Sequence, residues 1–120
     1  MARPLDADPE GFREITQGAN VPVLVDFWAA WCAPCRTAAP EVERTAAEMA
    51  GRALVLKVDT EKYPELAAQF GVQGIPNFAV LKGGSVVYQQ AGVVPSSQMK
   101  QWLVKAGAGP ENGKRKTGND

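Results

Sequence analysis

Cys32 and Cys35 are the only two cysteines of the 120-residue chain, and only Ala33 and Pro34 separate them. The pair follows an apolar run, Val23–Trp28, whose single acid is Asp26. Two closely spaced thiols can contribute to a metal site or an iron–sulfur cluster, form a structural crosslink, or cycle between dithiol and disulfide. The other residues of the chain help to choose among these chemistries.

The composition favours redox chemistry for the cysteine pair. A structural zinc ion takes about four ligands, and an iron–sulfur cluster normally takes four thiolates. With two cysteines and no histidine, either site would need carboxylates or a second chain. A disulfide across two residues closes too short a loop to constrain the unfolded chain much. A C-x-x-C motif beside a strand–helix–strand pattern is typical of a redox dithiol.

The expected position of Cys32 suits a reactive thiolate. It falls after a buried strand and at the start of a helix, where unpaired backbone N–H groups and the helix dipole favour an anion. Pro34 fits the first helical turn because its missing N–H is not needed there. Cys35 follows about one turn later and is expected to be less exposed. Cys32 is predicted to attack a substrate disulfide, and Cys35 to resolve the mixed disulfide.

The elements that must position this motif alternate along the chain. Apolar periodicity, capping residues and glycines predict a helix, a strand, a helix, a strand, a helix, a hairpin and a last helix. Their approximate ranges are 8–18, 22–28, 33–49, 52–59, 64–71, 77–92 and 95–107. Pro40 lies inside the long helix and should kink it. The middle strand–helix–strand unit should be parallel and right-handed, which gives a mixed sheet with helices on both faces.

Composition and charge bound the class of protein. Hydrophobic content is 45%, and 13 basic residues balance 13 acidic ones. The length of 120 residues suits one domain, expected over 1–106. The charge balance offers no basic surplus for binding nucleic acid. No apolar run is long enough to span a membrane and the N-terminus has no secretory pattern, so a cytoplasmic location is expected. Residues 107–120 are rich in glycine and charge, which predicts a flexible C-terminal tail.

Several motifs together resemble those of the thioredoxin family. The chain has "VDFWA" and "WCAPC" around the cysteines, Pro40 in the following helix, "KVD" at 57–59, "GIP" at 74–76 and Gly92 after the hairpin. The resemblance covers about Leu5 to Ala106. It implies the α/β thioredoxin fold, a central mixed β-sheet of about five strands with a short first strand, flanked by four helices. It also implies that Cys32 attacks and Cys35 resolves.

The resemblance assigns a role to the buried acid. On the residues alone, an aspartate turned towards solvent at the end of a strand is the simpler interpretation of Asp26. The resemblance instead places Asp26 beneath Cys35, where desolvation should raise its pKa. Asp26 is then the expected general acid/base for Cys35, with Lys57 as its charge partner.

The resemblance also predicts where a substrate would dock. The Ile75–Pro76 peptide bond is expected to be cis and to lie beside the disulfide, although about 5% of such bonds are cis in general. The Ile75 backbone would pair with an extended substrate segment. A flat apolar surface around Cys32, here called the docking patch, would complete the site. Its expected members are Trp31, Pro34, Ile75, Pro76, Gly92 and Val93.

The implied activity is general protein disulfide reduction by reversible dithiol–disulfide exchange, without a bound cofactor or metal. The protein, expected to be a monomer, would be recycled by thioredoxin reductase, an NADPH-dependent flavoprotein, and would act on disulfide-containing proteins. Two other functions stay open: a thiol oxidase or isomerase, and a non-catalytic scaffold. Ala33 stands where glycine is usual, and Asn77 where threonine is. Because Ala33 adds no charge or hydrogen bond, we expect a reducing potential shifted by roughly tens of millivolts.

Overall fold

The computed structural model describes residues 2–109, which contain five strands and four helices. The strands are β1 (Leu5–Asp6), β2 (Val23–Trp28), β3 (Leu54–Asp59), β4 (Asn77–Lys82) and β5 (Ser85–Ala91). The helices are α1 (Pro9–Gly18), α2 (Ala33–Glu48), α3 (Pro64–Gln69) and α4 (Ser96–Lys105). The sheet order is β1-β3-β2-β4-β5, with β1, β3 and β2 parallel and β4 antiparallel to both β2 and β5. The predicted mixed sheet is confirmed.

β2 lies at the centre of the sheet and leads into the cysteine motif. Leu24 packs with residues of α2 and α4, whereas Val25 and Phe27 pack with residues of α1 and α3. This split follows from the alternation of side chains along a strand that is covered on both faces. By the same alternation, Asp26 shares the face of Leu24 and belongs to the side of the sheet that α2 covers.

α2 carries the cysteines at its N-terminus and is fixed against α4. Cys32 is its N-cap residue, and Pro40 lies inside the helix. Glu41 Oε1 accepts a hydrogen bond from the backbone N–H of Ser96 at 2.8 Å, and the hydroxyl oxygens of Thr45 and Ser96 are 2.8 Å apart. The Glu41 carboxylate therefore satisfies one of the N–H groups that the start of α4 leaves unpaired.

β1 was not found in the residue pattern, and only the family resemblance implied a short first strand. Leu5 and Asp6 are both exposed and pair with Leu56 and Lys57 of β3. Two exposed residues carry no periodicity that a pattern can detect, so this strand depends on its partner β3.

Packing continues into the first residues of the predicted tail. Ala108 is 7% exposed and lies in the same core cluster as Leu103 of α4. The Arg52 guanidinium donates to the Gly109 carbonyl oxygen at 3.4 Å. The packed chain therefore extends beyond the boundary predicted at 106, and residues 110–120 of the predicted tail lie outside the described residues. None of the helices in residues 2–109 has the length and apolarity needed to cross a bilayer.

Candidate active site

Cys32 and Cys35 form a disulfide at the N-terminus of α2, with their Cα atoms 5.2 Å apart. The backbone N–H of Cys35 donates to Cys32 Sγ at 3.2 Å. This donor belongs to the first helical turn, where N–H groups lack partners within the helix. After reduction, the same donor and the helix dipole would favour the thiolate form of Cys32.

Both cysteines are shielded from solvent. Cys32 is 3% exposed and Cys35 is 5% exposed, so the predicted difference in exposure is wrong. Ala29, Trp28 and Ile75 pack against the pair and cover Cys32 as well as Cys35. An incoming disulfide must therefore approach over Ile75 and its neighbours to reach the Cys32 sulfur.

The loop that precedes β4 lies directly against the disulfide. The Ile75–Pro76 peptide bond is cis, as predicted. The Ile75 carbonyl oxygen is 3.7 Å from Cys32 Sγ, and the Pro76 carbonyl oxygen accepts a hydrogen bond from the Gly92 N–H at 2.8 Å. These contacts bring Ile75, Pro76 and Gly92 together beside Cys32.

The docking patch is uneven rather than flat. Trp31 is 65% exposed and Val93 is 45% exposed, and Pro34 is exposed as well, whereas Pro76 is buried. Ile75 and Gly92 are half-buried. Trp31 and Ile75 also line a shallow depression of about 270 Å³ beside α3. The expected surface is therefore interrupted at Pro76, which is buried and accepts the Gly92 N–H, while Trp31, Pro34 and Val93 are exposed around it.

Asp26 is buried and has an unusually high pKa. It is 3% exposed, and burial raises its pKa from 3.8 to about 7, while the positive charge of Lys57 acts in the opposite direction. Asp26 Oδ1 has no hydrogen-bond partner within residues 2–109. A carboxyl group with this pKa can both bind and release a proton near neutral pH, which suits general acid/base chemistry.

Lys57 lies on the strand beside Asp26 and has access to solvent. The two residues are paired in the parallel register of β2 and β3. Lys57 Nζ is 4.7 Å from the centre of the Trp28 ring, a cation–π geometry that holds the ammonium group in place. Lys57 and Trp28 line a cavity of about 480 Å³. Trp28 therefore positions a charge in addition to its packing role.

Two contacts near the disulfide were missed by sequence reasoning. Trp31 Nε1 donates to Glu61 Oε2 at 2.9 Å, and the Arg36 guanidinium donates to the Ala30 carbonyl oxygen at 2.6 Å. The first contact joins residues that are 30 positions apart, so no local pattern could reveal it. Arg36 directly follows the cysteine motif. A basic residue in the first turn of a helix is unusual, and this could have indicated that Arg36 contacts the preceding loop.

The described residues contain no group of three or more histidine, cysteine, aspartate or glutamate side chains that could hold a metal ion. The arrangement that remains is a cysteine pair at a helix N-terminus, a buried acid of high pKa in the preceding strand, and a largely apolar surface. Such a site can carry out thiol–disulfide exchange.

Comparison with known proteins identifies close relatives. The family model described as Thioredoxin matches residues 4–105. Thioredoxin 1 of Chlorobaculum tepidum is 41% identical over 106 residues, which cover 88% of this chain and 98% of that protein. Thioredoxin of Haemophilus influenzae is 34% identical over 103 residues, which cover 86% of this chain and 96% of that protein.

Solved structures show the same fold. A mutant thioredoxin from Halobacterium salinarum matches with a TM-score of 0.80 and 28% identity over 87% of this chain and 90% of that chain. Chloroplastic thioredoxin z matches with a TM-score of 0.79 and 27% identity over 88% of this chain and 96% of that chain. The relatives and the Cys32–Cys35 pair identify the protein as a thiol–disulfide oxidoreductase. Since the family model spans most of its length, the chain belongs to the thioredoxin family.

Proposed function

We propose that this protein is a general protein disulfide reductase. The observation that carries the proposal is the Cys32–Cys35 disulfide, which lies at the start of α2 and is bordered by the docking patch. The Cys32 thiolate attacks one sulfur of a substrate disulfide; the substrate S–S bond breaks, and its other sulfur leaves as a thiolate. Cys35 then attacks Cys32 Sγ, releases the second substrate thiolate and restores the disulfide. The substrate gains two electrons and the cysteine pair loses two.

Asp26 and Lys57 assist the second step. Because only a thiolate can attack, Cys35 must lose its proton while Cys32 is bound to substrate. Asp26 lies on the face of the sheet that α2 covers, and its pKa of about 7 lets it accept this proton near neutral pH, through water. The positive charge of Lys57 favours the ionised form of Asp26 and so keeps part of it ready as a base.

Substrates dock as extended segments on the docking patch. The Ile75 backbone pairs with the substrate backbone as one strand adds to another. Trp31 and Val93, the exposed apolar members of the patch, contact side chains on either side of the target disulfide. A small apolar surface of this kind suits weak binding of many proteins.

The reductant comes from another protein. Thioredoxin reductase, an NADPH-dependent flavoprotein, returns the cysteine pair to the dithiol, while this chain binds no cofactor itself. We place the protein in the cytoplasm as a monomer. The relatives named thioredoxin support the proposed role as a thioredoxin.

Reduction of insulin disulfides by dithiothreitol, followed as turbidity, tests the proposal. Wild-type protein should accelerate the reaction, and Cys32→Ser should lose all turnover. Thr37→Ala is a suitable control, because this hydroxyl is exposed and donates to the Ala33 carbonyl oxygen of its own helix. The proposal is falsified if Cys32→Ser retains the wild-type turnover.

A further inference from the structure

We propose that Asn77 and Gln89 form an amide pair that positions the loop 71–76 against the disulfide and sets the affinity for extended protein substrates. The inference rests on the proposed function and adds to it a pair of positioning residues. Their hydrogen bonds run to each other and to the carbonyl oxygens of Phe70 and Gly74. They act through the backbone of the loop.

The amide pair spans the hairpin of β4 and β5. Gln89 Nε2 donates to Asn77 Oδ1 at 2.9 Å and to the Phe70 carbonyl oxygen at 3.0 Å. Asn77 Nδ2 donates to the Gly74 carbonyl oxygen at 3.4 Å. Gln89 therefore uses both of its amide hydrogens, and its bond to Oδ1 fixes the direction in which Asn77 donates.

One backbone acceptor directly precedes the loop 71–76, and the other lies within it. Phe70 is the C-cap residue of α3, and Gly74 directly precedes Ile75. Between them, Gly71 and Gln73 are exposed and Val72 is half-buried. Val72 and Ile75 anchor the loop to the core, and the hydrogen bonds from Gln89 and Asn77 fix the backbone beside them at Phe70 and Gly74.

Burial makes this pair costly to disrupt. Asn77 is only 7% exposed, so its amide group must find partners inside the protein. Gln89 is half-buried and lies on β5 opposite Ala79, so that it meets Asn77 diagonally across the hairpin. Threonine, the residue usual at position 77 in the family that the sequence resembles, has one hydroxyl group and cannot make both bonds of the Asn77 amide in the same way.

The position of the loop matters at Ile75. The Ile75 carbonyl oxygen lies 3.7 Å from Cys32 Sγ, and the Ile75 backbone is the proposed partner of an extended substrate. A shift of Gly74 would move Ile75 with it, because the two residues are joined by one planar peptide unit. Small disulfides have no polypeptide backbone to pair with Ile75, so they should be insensitive to such a shift.

Gln89→Met tests the inference, because methionine has a similar length and no donor. Fully reduced protein is mixed with oxidised insulin or with the small aromatic disulfide 5,5′-dithiobis(2-nitrobenzoate), and the second-order rate constant is measured for each. Loss of the hydrogen bonds from Gln89 to the Phe70 carbonyl oxygen and to Asn77, which orients the Asn77 donor towards Gly74, should lower the insulin rate constant about five- to tenfold. The rate constant for the small disulfide should stay within about twofold of wild type.

Gln90→Met is the matched control, since the neighbouring Gln90 side chain instead accepts a hydrogen bond from the Tyr88 hydroxyl at 2.5 Å. It should leave both rate constants at the wild-type values. If Gln89→Met does not fold, Asn77→Thr serves in its place and should lower the insulin rate constant by about threefold. An unchanged insulin rate, or an equal fall for both substrates, would overturn the inference. Failure of wild-type protein to reduce insulin would instead overturn the proposed function.

Discussion

Asp26 and Lys57 occupy paired positions on the parallel strands β2 and β3, but only Lys57 reaches solvent. Asp26 is 3% exposed, whereas Lys57 lines a cavity of about 480 Å³. The buried carboxylate is therefore destabilised, and the neighbouring charge compensates only in part, which leaves the pKa of Asp26 at about 7. The fold maintains a proton donor and acceptor of near-neutral pKa at the cost of stability.

Asp26→Asn should stabilise the oxidised protein at alkaline pH. Well below pH 3.8 the carboxyl group is protonated in both the folded and the unfolded chain. Between pKa values of 3.8 and about 7 the folded chain keeps a proton that the unfolded chain loses. The free energy of unfolding therefore falls as pH rises through this window and levels off above it, a loss of roughly 4 kcal/mol. Asparagine avoids the loss, so the variant should gain up to about this amount at pH 8.

Urea unfolding of both proteins at pH 4, 6 and 8 measures this effect as a difference between variants. Asp6→Asn, on exposed β1, is the control and should show no comparable gain. A stability difference between Asp26→Asn and wild type that does not grow with pH would contradict a raised pKa for Asp26.

Lys57→Met should raise the pKa of Asp26 above its wild-type value of about 7. The charge of Lys57 is the cause that lowers this pKa, so its removal leaves desolvation unopposed. The pH window over which the free energy of unfolding falls should then extend upwards. Lys62→Met is the control, because Lys62 is exposed and lines the same cavity as Lys57. It should leave the pH range over which the free energy of unfolding falls unchanged. Identical windows in the two lysine variants would argue against coupling between Lys57 and Asp26.

Cys35→Ser should trap a covalent complex with substrate. Cys32 can still attack, but no second thiol is available to break the mixed disulfide. Mass spectrometry after mixing with oxidised insulin should detect one insulin chain attached to Cys32. Cys32→Ser should give no adduct, because only Cys32 is the N-cap residue whose sulfur accepts the Cys35 N–H and so is favoured as a thiolate. Adducts that form at Cys35 with equal yield would reverse the assigned roles.

Val93→Asp should weaken docking of protein substrates. A carboxylate in the docking patch must be desolvated when an apolar segment binds, so the insulin rate constant should fall about fivefold or more. Val104→Asp is the matched control, since Val93 and Val104 are both 45% exposed and Val104 lies on α4, outside the patch. Kinetics with oxidised insulin compare the two variants. A similar effect from both would show that added charge, rather than its location, is responsible.

Much of the fold was predictable because its signals are local. Asp8 caps α1 through its hydrogen bond to the Gly11 N–H at 2.7 Å, and Pro9 occupies the first turn, as the sequence indicated. The buried run of β2 and the helix start at Cys32 also follow from neighbouring residues. β1 has no such signal, because its two exposed residues become a strand only when they pair with β3.

The features of the candidate site also fall into those that the sequence predicts and those that only the folded structure reveals. The cysteine pair and the isolated Asp26 stand out in the sequence because their residue types are unusual in their surroundings. The burial of Cys32 and Pro76 was not predictable, since it depends on how the loop before β4 packs against α2. The Asn77–Gln89 contact likewise joins residues on different strands, and nothing in either segment alone points to it.

The reduction potential of the Cys32–Cys35 pair tests the central claim most directly. The pair is equilibrated with dithiothreitol buffers, and the redox state is read from tryptophan fluorescence, because Trp28 and Trp31 flank the site. Ala33 adds no charge or hydrogen bond that would stabilise the thiolate, so we predict a potential within tens of millivolts of about −270 mV, the value typical of thioredoxins. A value at or above about −200 mV would contradict the assignment as a reductase and favour a thiol oxidase or isomerase.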